Sequence, residues 1–253
     1  MNKRKFFIPI AVLLVLSGVF AIANNNHWLT PDHNKNELPD AKEELRKLYA
    51  IYNKQDTSLT INGIIRLYDR ENKDALKEQT PFSYSKKGKR VFNQLGYLQT
   101  FFEDSLIVQL DTVNKYIAVS KITEGVQESV QNGLPFERFM QDTSTFKITA
   151  TVSEKNKERA LTVISELNPE IKSSVIYYDP VTYKIKKAEI EWWKEAPIYD
   201  KEAVSKKIWL TIMEYTYPAG MSNPESIKEI IVWKDGKPEP AKAYKDYQVH
   251  VTF

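Results

Sequence analysis

Downstream of Ser58, apolar residues recur at every second position, the period of a strand with one buried face. The segments "LTINGIIRLYD" (Leu59 to Asp69), "PFSYSKKGKRVFNQLGYLQTFFEDSLIVQLD" (Pro81 to Asp111) and "KYIAVSKI" (Lys115 to Ile122) read as consecutive strands. Lys87-Gly88 and Glu103-Asp104-Ser105 supply turns between them. The alternation resumes in "FKITATV", "RALTVISEL", "SSVIYYDPVTYKIKKAEIEWWK", "KKIWLTIMEYTYP", "IKEIIVWKDGK" and the closing "YKDYQVHVTF". Two segments break it. "LPDAKEELRKLYAIYNK" places Ala41, Leu45, Leu48, Tyr49 and Tyr52 at helical spacing, with Asp40 as N-cap and Glu43 three residues on. "VQNGLPFERFMQDTST", with Pro135, Phe136, Phe139 and Met140, predicts a short helix or apolar plug lying on the sheet. The pattern predicts an α+β, mainly β fold. It is a strongly curled antiparallel sheet, an incomplete barrel of about ten or eleven strands, with an N-terminal amphipathic helix and a short covering helix.

Some strands carry apolar residues on both faces. In "IWLTIMEYTY", Ile208, Leu210 and Ile212 alternate with Trp209, Met213, Tyr215 and Tyr217. In "IEWWK", Ile190 and Trp192 oppose Trp193. A sheet wet on one side alternates apolar with polar residues, so these strands predict a second apolar layer of protein, lipid or apolar ligand. The residues expected to line such a cavity are Phe82, Tyr84, Phe102, Trp192, Trp209, Met213 and Tyr215. Taken singly, each is also an ordinary core residue.

Two hairpins resemble each other. Aligning Val108–Ile122 with Ile176–Ile190 pairs Asp111 with Asp179, Val113 with Val181, Ile117 with Ile185 and Ile122 with Ile190. A paired ion site would use the two Asp. Turn chemistry explains them more simply, because Asp accepts backbone N–H bonds two residues on and Pro180 presets a turn. Both Asp are expected to turn the chain.

The N-terminus changes the compartment. Lys3, Arg4 and Lys5 precede an apolar run from Phe6 to Phe20, and Ala21-Ile22-Ala23 offers a cleavage pattern. These features predict a signal peptide over 1–23, cleaved after Ala23, a polar leader over 24–37 and one domain over 38–253. An uncleaved membrane anchor would want about 20 apolar residues, more than this run supplies. With no Cys, the signal cannot be of lipoprotein type and the chain has no disulfides or thiol chemistry. Met1–Ala23 holds three basic and no acidic residues, so the remainder balances 33 Lys+Arg against 33 Asp+Glu. No basic surplus argues for nucleic acid or anionic lipid.

Candidate chemistry is sparse. His27 and His33 fall in the leader and His250 in the last strand, so no HExxH pair exists, and no G-x-S-x-G elbow, P-loop or dinucleotide fingerprint occurs. "EDS" at Glu103–Ser105 reads as a solvated turn rather than a carboxylate pair. The expectation is a protein without enzymatic activity, cofactor or metal.

The order of these segments resembles a known family. An amphipathic helix, an aromatic strand "PFSYSKKG", an acidic turn before "LIVQLDTVNKYIAV" and a second hairpin "YYDPVTYKIKKAEI" are similar to the periplasmic outer-membrane lipoprotein carriers and the wider lipoprotein-localisation superfamily. The resemblance spans Lys42 to Phe253. It implies curled, incomplete antiparallel barrels covered by helices, with an apolar concave cavity for acyl chains. The family's usual Asp-Gly turn is Asp104-Ser105 here, and the Asn- or Asp-Pro hairpin turn is kept only as Asp179-Pro180. The family's Arg-Pro ahead of the aromatic strand is replaced by Gln79-Thr80-Pro81, so its functional Arg has no counterpart.

Together these expectations describe an exported, monomeric, periplasmic or secreted binding protein of the cell envelope that holds a lipid or acyl chain. Two alternatives stand beside it. The closing "YQVHVTF" also resembles the last strand of an outer-membrane β-barrel, and the sheet face could instead bind an envelope protein partner.

Overall fold

The computed structural model describes residues 39–53, 58–122, 148–155, 158–165, 171–193, 207–219 and 226–252. The expected signal peptide, leader and Pro135–Met140 plug lie outside these residues. Helix α1 (Ala41–Asn53) is followed by β1 (Leu59–Asp69), β2 (Leu76–Lys87), β3 (Arg90–Leu95), β4 (Leu98–Glu103), β5 (Leu106–Asp111) and β6 (Tyr116–Lys121). Then come β7 (Ile148–Lys155), β8 (Glu158–Ser165), β9 (Ile171–Tyr178), β10 (Ile185–Trp192) and β11 (Ile208–Thr216). The one-turn helix α2 (Ile227–Ile230), the hairpin β12 (Ile231–Lys234) and β13 (Lys237–Pro240), and β14 (Gln248–Val251) complete the order.

The chain is mainly β. Twelve strands are hydrogen-bonded in the order β14-β6-β5-β4-β3-β2-β1-β11-β10-β9-β8-β7, a large sheet whose first and last strands do not meet. Pairing is antiparallel from β2 to β6 and from β7 to β11. β14 instead runs parallel to β6, with Val249 opposite Ile117. A closed, wholly antiparallel membrane barrel does not have such a strand.

The turns follow from residues that tolerate left-handed backbone. Gly96 (φ +57°) splits "RVFNQLGYLQTFF" into β3 and β4, a break the continuous alternation conceals. A side chain there would be strained by that φ, and its Cβ would stand 3.3 Å from the Thr80 methyl.

The chain divides into two compact units. The first comprises residues up to 53, 64–79 and 134–215. Here α1 packs on β7 and β8, with Leu45 and Leu48 fully buried. Each such leucine contributes about 1.5–3 kcal/mol of apolar transfer. Asp40 caps the helix by accepting the Glu43 N–H at 3.2 Å. The sheet face beneath carries Leu161, Val163, Ile176, Ala188, Ile190 and Met213, all buried.

The second unit comprises 54–63, 80–133 and 216–253. Its core lies on one face of β4 to β6, where Phe101, Val108, Leu110, Ile117 and Val119 pack under Ile227, Ile230 and Ile231. Phe92, Leu106, Tyr244, Tyr247 and Val249 close its margin.

The expectation of strands apolar on both faces holds along β11 but not on the adjacent β10. Leu210 and Ile212 are half-buried, and their partners on β10 are Glu191 and Glu189. Glu191 pairs with Lys172 at 2.7 Å and Glu189 with Lys187 at 2.8 Å. On the β10 side, the side chains beside Leu210 and Ile212 are therefore charged. Alternation within one strand carries no information about the strand beside it.

Candidate functional site

Strand register in the second unit stacks side chains into rows across the sheet. Opposite the packed core, the first row runs Lys86, Val91, Phe102, Ile107. The third runs Phe82, Leu95, Leu98, Asp111. Between them lie Tyr84, Asn93, Thr100 and Gln109. Phe82, Val91 and Phe102 are buried, and the other apolar members are half-buried. Burial pushes the Tyr84 phenol above its ordinary pKa and the Lys86 ammonium below its own.

The structure therefore brings Phe82, Tyr84 and Phe102 onto one sheet face. The other four expected residues belong to the first unit. Trp192, Met213 and Tyr215 are buried there, with the Trp192 indole donating to Thr211 Oγ1 at 2.9 Å and the Tyr215 hydroxyl 3.6 Å from Met213 Sδ. Trp209 is half-buried and donates to the Lys73 carbonyl at 3.1 Å, with Lys73 Nζ 5.1 Å from its ring centroid. It packs on a surface turn.

Two buried carboxylates anchor helices. In the first unit Glu44 has no exposed surface. It accepts from the Tyr178 hydroxyl at 2.6 Å, the Tyr183 hydroxyl at 3.0 Å, Arg159 at 3.0 Å and Lys47 at 3.3 Å. Burial pushes its carboxyl up, but the bonds from Tyr178, Arg159, Tyr183 and Lys47 outweigh that and hold it below the usual range. The Tyr178 phenol is raised by burial and by Glu44 itself. In the second unit Glu103 pairs with Arg90 at 2.6 Å and accepts from Ser226 Oγ at 2.9 Å and the Ile227 N–H at 2.8 Å. It thereby closes the N-terminus of α2. The reading of Glu103 as part of a solvated turn is corrected: Asp104 and Ser105 are exposed, whereas Glu103 points into the protein.

The two Asp hairpins are turns. Asp111 Oδ1 accepts from the N–H groups of Val113 (3.0 Å) and Asn114 (2.8 Å), and Asp179 Oδ1 from those of Val181 (3.0 Å) and Thr182 (2.7 Å). The Thr182 N–H, its hydroxyl and the Val181 N–H keep the Asp179 carboxyl below its ordinary pKa. Among the described residues no group of three or more His, Asp or Glu could hold a metal ion.

No protein-family model and no curated protein matches the sequence. Solved structures do match. An uncharacterised conserved protein of Thermus thermophilus is 8% identical with a TM-score of 0.40, covering 84% of this chain and 99% of its own. A LolA-superfamily protein of Nitrosomonas europaea is 12% identical with a TM-score of 0.29, over 71% and 92%. A putative outer-membrane lipoprotein-sorting protein domain of Vibrio parahaemolyticus is 10% identical with a TM-score of 0.30, over 72% and 95%. The likeness is one of fold. At these scores it carries nothing about ligand or activity.

Sequence reasoning missed Asn93, Thr100 and Gln109. Polar residues alternating with apolar ones read as a solvated face, and only the register shows them in line with Tyr84 between two mainly apolar rows. Glu44 was hidden similarly, as an acidic residue in the first turn of a helix.

Proposed function

We propose that this chain is a periplasmic or secreted binding protein without enzymatic activity, holding a lipid or acyl chain against an apolar sheet face. The observation that supports this best is the face of β2 to β5 opposite the core of the second unit. There Phe82, Leu95 and Leu98 form one row, ending at Asp111, and Val91, Phe102 and Ile107 another, which begins at Lys86. Each CH₂ of a chain transferred from water onto such a surface contributes about 0.8 kcal/mol. The buried Trp192, Met213 and Tyr215 are assigned to the core of the first unit.

Native mass spectrometry after mild purification, with uptake of a fluorescent fatty acid, tests this reading. Co-purified lipid and saturable uptake are expected, and Leu98→Lys, at a half-buried position, is expected to weaken uptake about tenfold or more while the far-UV spectrum stays unchanged. Consistent absence of both lipid and uptake would overturn it and favour a protein partner on the same face.

A further inference from the structure

We propose that the ligand is an acyl chain carrying an uncharged carbonyl linkage, an ester or amide, and that Tyr84, Asn93, Thr100 and Gln109 recognise that linkage. The inference rests on the lipid reading and adds to it which part of the ligand the protein reads.

The four residues sit on adjacent strands β2, β3, β4 and β5 in direct register. All four are half-buried, and none of their side chains has a hydrogen-bond partner among the described residues. Polar groups removed from water in this way cost free energy until something answers them. A surface meant only for hydrocarbon would not carry four abreast between two rows that are apolar except for Lys86 and Asp111 at their ends. A solvated face would not flank them with Phe82 and Leu98 on one side and Val91 and Phe102 on the other.

The chemistry of the row selects its partner. Asn and Gln amides both donate and accept, and Thr and Tyr hydroxyls do the same. Such groups match an uncharged carbonyl, whose oxygen accepts, and an amide N–H, which donates. Adjacent strands lie about 4.8 Å apart, so Asn93, Thr100 and Gln109 span roughly 10 Å. A chain lying along the strands would cross this row once, with apolar surface before and after the linkage. Sites built around a hydrogen bond discriminate well against ligands lacking the partner, because the site's own polar groups are then left unpaired.

The test is competition against bound fluorescent fatty acid by ligands of matched length: methyl dodecanoate, dodecanamide and tridecane. The ester and the amide are expected to displace the probe about tenfold better than the hydrocarbon. In Asn93→Leu/Thr100→Val/Gln109→Leu that ratio should fall to about one. Should the triple variant not fold, the near-isosteric Thr100→Val must still lower the ratio. Equal displacement by all three ligands in the unmodified protein, or a ratio unmoved by the substitutions, overturns this inference and leaves lipid binding standing. No probe uptake at all overturns the lipid reading and this inference with it.

Discussion

The hairpins at Asp111 and Asp179 make the same turn and use it differently. In each, the Asp carboxylate accepts the next two available N–H groups, and the residue four places on stands in left-handed backbone, Lys115 at φ +54° and Tyr183 at φ +54°. That residue then reaches outward. Tyr183 stacks on Tyr178 with centroids 5.8 Å apart and donates to the buried Glu44, joining the hairpin to α1. Lys115 meets Asp246 at 3.1 Å, lies 4.8 Å from the Tyr247 ring centroid, and its carbonyl accepts the Gln248 N–H. One hairpin exports a phenol into a dry site; the other exports an ammonium into water. The turn is a conserved geometry within this chain, and the fifth residue decides what it holds.

The largest effect should come from the dry side. Glu44→Ala leaves Arg159, Tyr178 and Tyr183 facing an empty position, and should cost about 3–5 kcal/mol in chemical denaturation. The same carboxylate sets an acid limit. Its folded pKa is depressed, so its contribution is full above the unfolded value of about 4.3 and is lost as pH falls through the folded one. Below about pH 4 the parent should lose stability more steeply than Glu44→Gln, measured by thermal melts at stepped pH. Parallel pH curves for the two proteins would break the comparison.

Smaller and matched effects are expected from the turns. Asp111→Ala and Asp179→Ala should each lower Tm modestly and to a similar degree, with no loss of probe uptake. A large difference between them would show that the two turns are not equivalent. Least of all should come from Lys115→Met. Its ion pair is solvent-exposed, so the small destabilisation should vanish at about 1 M salt, where charges are screened beyond about 3 Å.

These turns were legible because their bonds close within a few residues. Asp, Asn114 and Thr182 announce themselves locally. The mainly β architecture followed from alternation for the same reason, since each strand declares its two faces. What escaped is non-local. Glu103 finds Ser226 123 residues away, and Glu44 finds Tyr178 134 residues away, so nothing near either residue signals burial. β14 was legible as a strand and not as a parallel one, because direction belongs to the pair. Phe82, Tyr84 and Phe102 share a face because the turns between β2, β3 and β4 fix the register, and the polar row beside them emerges only once that register is known.

The parallel pairing of β14 with β6 also constrains the order of folding. Ser120 bonds Thr252 across 132 residues, so β6 keeps an open edge until nearly the whole chain is available. Open strand edges template intermolecular pairing. During synthesis that edge needs protection, and loop closure over such a distance is a slow step. A chain ending before Gln248 would complete β1 to β13 yet keep this edge exposed, so its characteristic fault should be self-association rather than unfolding.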